Sequence, residues 1–263
     1  MNNITLKVKD IIRVIEEFAP LSLQEKWDNS GLCIGSPEAD VSSVLLALDC
    51  TPELVDEAID TGADMIVTHH PLIFSGIKKI SPDDVVGAAV IKAVSAGISV
   101  YAAHTSADKV LAGVSGAMAR KLSLKNVSIL DEDGDGTGLG AVGDLEKPMT
   151  AREAVAFVKE RFGLKTVRTS RPLDIPITRI AMCGGSGSSL ISNAVASGAQ
   201  LYLCGDISYH HFFAPDGFML MDIGHYESEI EIVAILFSLL KKNFPTFAVR
   251  ITENIYSNPI FYF

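Results

Sequence analysis

No run in this chain is long and apolar enough to span a membrane; the longest near the C-terminus, Ile230 to Leu240, is too short and is preceded by charges. The first residues, Met-Asn-Asn-Ile-Thr-Leu-Lys-Val-Lys-Asp, lack the charged n-region and apolar h-region of a secretory signal, so a cytoplasmic location is expected. Cysteine is scarce and unpaired in spacing. Cys33, Cys50, Cys183 and Cys204 form no C-x-x-C pair, which excludes a zinc knuckle or a thioredoxin-like motif. Each lies in or near an apolar run, and buried reduced thiols are expected. Positive charge is short as well: 22 Lys and Arg face 32 Asp and Glu, for a net charge of -10. That balance argues against a broad phosphate-tracking surface, so nucleic acid is not an expected partner. Bound metal ions are the direct way for such a chain to create a local positive site.

Two recognised loop templates are also missing. Cys183-Gly-Gly-Ser-Gly-Ser-Ser189 sits between an apolar run and a helical pattern. It reads either as a tight turn or as amides that cradle a phosphate at a helix N-terminus. Its spacing fits neither the P-loop nor the dinucleotide fingerprint, so no nucleotide cofactor is expected. Asp131-Glu-Asp-Gly-Asp-Gly-Thr-Gly-Leu-Gly140 is acidic, but an EF-hand needs Glu at its twelfth position and that residue is Val142. A solvated turn or hairpin tip is expected there.

Hydrophobic residues make up 48% of the 263 positions, enough to bury one large core or two ordinary ones. Helical spacing marks Val8 to Phe18, ended by Pro20. Strand and helix then alternate. Val44 to Asp49 reads as a strand buried on both faces, and Thr51-Pro52 as the N-cap and first position of a helix ending near Gly62. Met65 to Thr68 and Ile98 to Ala103 are further strands, separated by a helix from Asp84 to Ala96, and another helix is expected from about Asp108 to Leu122. A second α/β set follows: a helix from Ala151 to Phe162 capped by Thr150 with Glu153, strands at Thr166 to Arg168, Arg179 to Cys183, Leu201 to Cys204 and Phe218 to Asp222, and helices from Ser189 to Ala196 and Ser228 to Lys242. Phe247 to Ile251 closes as a strand.

The six histidines fall in four places, each after a short apolar run. In an open α/β sheet, ligands bind along the edge where strand ends gather. His69-His70-Pro71 follows a strand directly, and neighbouring residues on extended backbone point opposite ways, so each imidazole can serve a different ion. His104 and Asp108 share a helix face if the chain turns helical at Thr105; Asp108 then either bridges two metals or complements the helix dipole. His104 stands behind it as a supporting group or weak ligand. His225 and Glu229 are likewise four apart, with Glu227 as a fallback ligand should the helix begin only at Ser228. His210-His211 follows a loop rich in aromatic and turn residues, and reads as a structural pair, a pocket lining or a proton donor. Imidazole with carboxylate is the donor set of Zn, Mn, Fe and Ni. The metal ligands expected are therefore His69, His70, Asp108, His225 and Glu229, holding two divalent ions. Candidate catalytic residues are His104, His210 and His211 as proton carriers.

Trp27-Asp-Asn-Ser-Gly-Leu32, Thr68-His-His-Pro-Leu72, His104-Thr-Ser-Ala-Asp108, Cys183-Gly-Gly-Ser-Gly187 and Asp222-Ile-Gly-His-Tyr-Glu-Ser-Glu229 resemble the NIF-three-like family, whose members carry the label "GTP cyclohydrolase 1 type 2 homolog". The resemblance implies two α/β domains with mixed sheets flanked by helices, a dinuclear metal centre on the same five residues, and a ring-shaped homohexamer. On this chain the expected domains are 1–125 plus 219–263, carrying most ligands, and 126–218. The length leaves no room for the extra mid-chain domain of some members. Two functions from different classes follow. One is a metal-dependent hydrolase acting on an anionic small molecule, a nucleotide or other phosphorylated or heterocyclic compound; under the cyclohydrolase label its target is C8 of a guanine ring. The other is a non-enzymatic metal-binding or regulatory oligomer that binds a protein partner.

Overall fold

A computed structural model describes residues 6–253 and 258–262. The chain divides into two compact units, Met1–Ala107 with Ile232–Pro259, and Asp108–Glu231 with Ile260–Phe263.

The first unit is built on a five-stranded sheet ordered Ala248–Ile251, Ser43–Ala47, Met65–Thr68, Ser99–Ala102, Gly31–Ile34. The first four strands run parallel and Gly31–Ile34 pairs antiparallel at the edge. Every residue of Ser43–Ala47, Met65–Thr68 and Ser99–Ala102 is buried, the pattern of strands covered on both faces. Crossover helices Pro52–Thr61 and Val85–Ala96 connect them and pack Leu54, Val55, Ala58, Ala89, Val90 and Ala93 into a core with Leu45, Ile66 and Val100. The expected cap of the first is in place: Thr51 accepts from the Leu54 amide with Pro52 at the first position, and Gly62 closes the helix in left-handed conformation. Such a cap contributes about 1 kcal/mol. Val8–Phe18 is helical as expected.

The second unit carries a six-stranded mixed sheet ordered Lys125–Glu132, Gly138–Met149, Ile177–Met182, Leu201–Cys204, Met219–Asp222, Arg168–Thr169. Its three central strands, Ile177–Met182, Leu201–Cys204 and Met219–Asp222, are parallel; the others pair antiparallel. The acidic glycine stretch is a hairpin tip between Lys125–Glu132 and Gly138–Met149, as its composition indicates. Helix Ala151–Phe162 opens with the full capping box of Thr150 and Glu153.

Three expectations shift. The helix foreseen from Asp108 to Leu122 is two pieces, Thr105–Asp108 and Val114–Lys121. Gly116 permits the close return of the loop between them: a Cβ there would meet the Leu111 carbonyl oxygen at 1.6 Å. The helix expected from Ser228 begins earlier, as His225–Glu229 followed by Glu231–Asn243. The domain divide is not at 125/126 and 218/219. Strand Met219–Asp222 is hydrogen-bonded to Leu201–Cys204, and Met118, Ala119 and Leu122 pack in the core of the second sheet with Ile180, Leu203 and Met221. Strand pairing and burial, rather than position along the chain, allot these segments.

Candidate metal-binding residues

In the first unit the site follows from strand register. Ala47 is level with Thr68, and Thr68 with Ala102. The ladder continues past the strand ends through His70 N to Leu48 O at 2.9 Å and Ala103 N to Thr68 O at 3.0 Å. Residues two beyond each end, Asp49, His70 and His104, therefore emerge side by side at one sheet edge. The rings of His69, His70 and His104 have centroids 4.9, 5.3 and 5.4 Å apart, and one ring nitrogen from each lies within 4.8 Å of the others. Three imidazoles so placed can hold a metal ion.

Each ring is oriented by an oxygen on Nδ1. His69, fully buried, donates to the Ala103 carbonyl at 3.1 Å. His70 is held by Asp49 Oδ1 at 2.7 Å and His104 by Asp28 Oδ1 at 2.8 Å. A carbonyl or carboxylate can only accept, so each Nδ1 carries a proton, and Nε2 is the nitrogen that would ligate a metal. Asp28 has a fully buried side chain and also accepts from Ser30 Oγ at 2.6 Å, the Thr105 amide at 3.1 Å and the Thr105 hydroxyl. Its burial by itself raises the carboxyl, but the bonds from His104, Ser30 and Thr105 outweigh that and hold it well below the usual carboxylate range.

In the second unit, Asp222 shapes the approach to the ligand helix. It pairs with Arg168 and accepts from the amides of Ile207 and Gly224 at 3.0 Å. Helix His225–Glu229 then places His225 Nε2 3.1 Å from Glu229 Oε2, the i, i+4 relation foreseen. His225 repeats the motif of the first unit, with Nδ1 on Asp206 Oδ2 at 2.7 Å. Asp108 closes the helix Thr105–Asp108, and a carboxylate oxygen of Asp108 lies within 4.8 Å of one from the buried Glu229. Two carboxylates that close repel, and a divalent cation relieves the repulsion. The donors fit a metal on this ground as well as by type. Glu227, the fallback ligand, belongs to no ligand group among the described residues.

The glycine loop gives room to the helix His225–Glu229. Gly185, at φ +59°, would place a Cβ 2.2 Å from Glu229 Oε1; its amide donates to Ser228 Oγ at 2.9 Å. A Cβ on Gly205 would sit 2.7 Å from the His225 backbone. The loop lets helix His225–Glu229 approach the sheet end closely. His210 and His211 lie exposed on the turn Tyr209–Phe212, His211 bonded to Ser208 Oγ at 3.1 Å. Neither joins a ligand group among the described residues. Asp28, Asp49 and Asp206, the three orienting carboxylates, escaped sequence reasoning. Each carried a local signal: Asp49 and Asp206 lie two residues past buried strands, and Asp28 sits in the Trp27–Leu32 motif.

The Duf34/NIF3 (NGG1p interacting factor 3) family model matches residues 6–259. The chain belongs to this family. It is 38% identical over 237 residues to a GTP cyclohydrolase 1 type 2 homolog of Clostridium acetobutylicum, covering 88% of each chain. It is 33% identical over 242 residues to the protein NIF3 homolog of Schizosaccharomyces pombe, covering 86% of this chain and 85% of the other. The crystal structure of Staphylococcus aureus hypothetical protein SA1388 superposes with a TM-score of 0.91 at 28% identity, over 98% of this chain and 100% of that one. The α/β architecture of mixed sheets flanked by helices is thus the family fold. No helix among the described residues is long and apolar enough to cross a membrane.

Proposed function

We propose that His69, His70, Asp108, His225 and Glu229 serve one two-metal centre in a hydrolase acting on an anionic nucleotide or other phosphorylated or heterocyclic small molecule. The observation that carries this reading is a shared ring orientation: His69, His70 and His225 each turn Nδ1 to an oxygen acceptor, which makes Nε2 the nitrogen that would ligate a metal. Two divalent ions of Zn, Mn, Fe or Ni type would activate water and polarise the bond under attack. The two carboxylates of the set cancel half of the ions' charge, and the remainder favours an anionic substrate. His104, locked by Asp28, moves a proton through Nε2. His210 and His211 remain proton-transfer candidates to be compared with it by substitution. A homohexamer is part of the same reading and is measured by light scattering.

The test is elemental analysis of metal-reconstituted protein, paired with turnover of a panel of nucleotides and phosphoesters. A ratio of ~2 ions per chain is expected, with ions and turnover both lost in Asp108→Ala. A ratio of zero in metal-replete conditions sinks the proposal. The family description as an interacting factor favours a second reading, a metal-binding regulatory oligomer with a protein partner. Full metal loading of the wild type, with the same trace activity left in Asp108→Ala after it has lost its ions, would select it.

A further inference from the structure

Trp27 and Phe74 are 59% and 51% exposed, unusual for rings of that size. They touch each other, with centroids 5.9 Å apart at 46°. Each also meets His104 edge-on, at 6.0 and 6.1 Å. His104 in turn packs against His69 and His70, so the two exposed rings rim the imidazole cluster of the first unit. Their loops are not slack. Asn29 Nδ2 donates to the Ile73 carbonyl at 2.6 Å, tying the Trp27 loop to the Phe74 loop. Asp28, next to Trp27, is buried in its bonds to His104, Ser30 and Thr105, and the Ser30 amide donates to Gln24 Oε1 at 3.0 Å. A fold that pins two large aromatic rings in place yet leaves them in water forgoes burial energy at that point, and fixed exposed apolar surface marks binding.

We propose that Trp27 and Phe74 form a stacking shelf for the planar heterocyclic ring of a substrate whose reacting part reaches the imidazole cluster. The tilt suits a flat ring that lies on one face and meets the other edge-on. Stacking also supplies uncharged affinity, which a chain of net charge -10 needs when its ligand is anionic. The inference rests on the metal-centre reading only for where the chemistry occurs.

Trp27 is the single tryptophan of the chain, so its fluorescence reports on the shelf directly. The full-length protein is titrated with adenosine, excited at the red edge of tryptophan absorption, before and after chelation, with ribose 5-phosphate as the control that lacks the planar base. Saturable quenching by adenosine and none by ribose 5-phosphate is expected. Phe74→Leu should weaken adenosine roughly tenfold and Phe74→Tyr should restore it. Absent quenching, equal quenching by ribose 5-phosphate, unchanged affinity in Phe74→Leu, or a Trp27 shielded from acrylamide in the native assembly would each overturn the shelf. Elemental analysis of the same samples separates the two ideas: metal-loaded protein that ignores adenosine overturns the shelf alone, and quenching that survives in protein unable to take up metal supports the shelf while removing the metal centre.

Discussion

Asp28 and His104, 76 residues apart in the chain, meet at 2.8 Å with the Asp28 side chain wholly out of water. The carboxylate fixes the imidazole, and the imidazole helps justify a buried charge.

Asp28→Asn should cost about 2–3 kcal/mol in denaturant unfolding, because an amide cannot accept from all of the donors that converge on this carboxylate. The sign with pH is set by the depressed native carboxyl. The unfolded state takes up the proton first as pH falls below the ordinary value of 3.8, so the charge's contribution is fully present above that pH and fades below it. The gap between wild type and variant should therefore shrink in acid. A gap that widens below pH 4 contradicts the assignment.

Asp206→Asn removes the negative charge that His225 Nδ1 faces while keeping a residue that tolerates the φ of +53° found there. Chelator competition should show metal affinity lower by about 10- to 100-fold. Unchanged affinity would mean that the Asp206 charge does not tune His225 as a ligand.

Gly185→Ala should reduce metal content and thermal stability together, since its Cβ would fall on Glu229. Gly163→Ala is the control within the same unit. It has a similar φ of +69° with nothing within 4 Å of the added methyl, so it should lose only about 1 kcal/mol and keep its metal. Equal metal loss in both would remove the link to Glu229.

The thiols should be inert in the native protein. Burial pushes Cys33 up to about 11 and Cys50 and Cys204 up to about 12, and raises Cys183 as well. Iodoacetamide at pH 8 should modify well under one thiol per chain until denaturant is added, and then all four cysteines. Rapid native labelling, read by mass spectrometry, would contradict the burial.

Much of this protein was legible in short windows of sequence. Thr51-Pro52, Thr150 with Glu153 and the acidic hairpin tip each act through bonds made within a few residues, so their chemistry sits in the local string. Strand-end histidines were legible for a related reason: a buried parallel strand is a continuous apolar run, and its end is where polar residues resume. The same run says nothing about register. That Asp49, His70 and His104 emerge together depends on Ala47, Thr68 and Ala102 being level across three strands, a property of pairing between distant segments.

The chain by itself determined the alternating α/β elements, their caps and the residue types available for metal chemistry, because backbone propensity and apolar periodicity are local. Tertiary structure decided which carboxylate orients which imidazole, why Gly185 and Gly205 must lack a side chain, and that Met219–Asp222 joins the second sheet. Those outcomes turn on contacts and packing between segments far apart in sequence, where loop closure and strand register, rather than neighbouring residues, determine what meets.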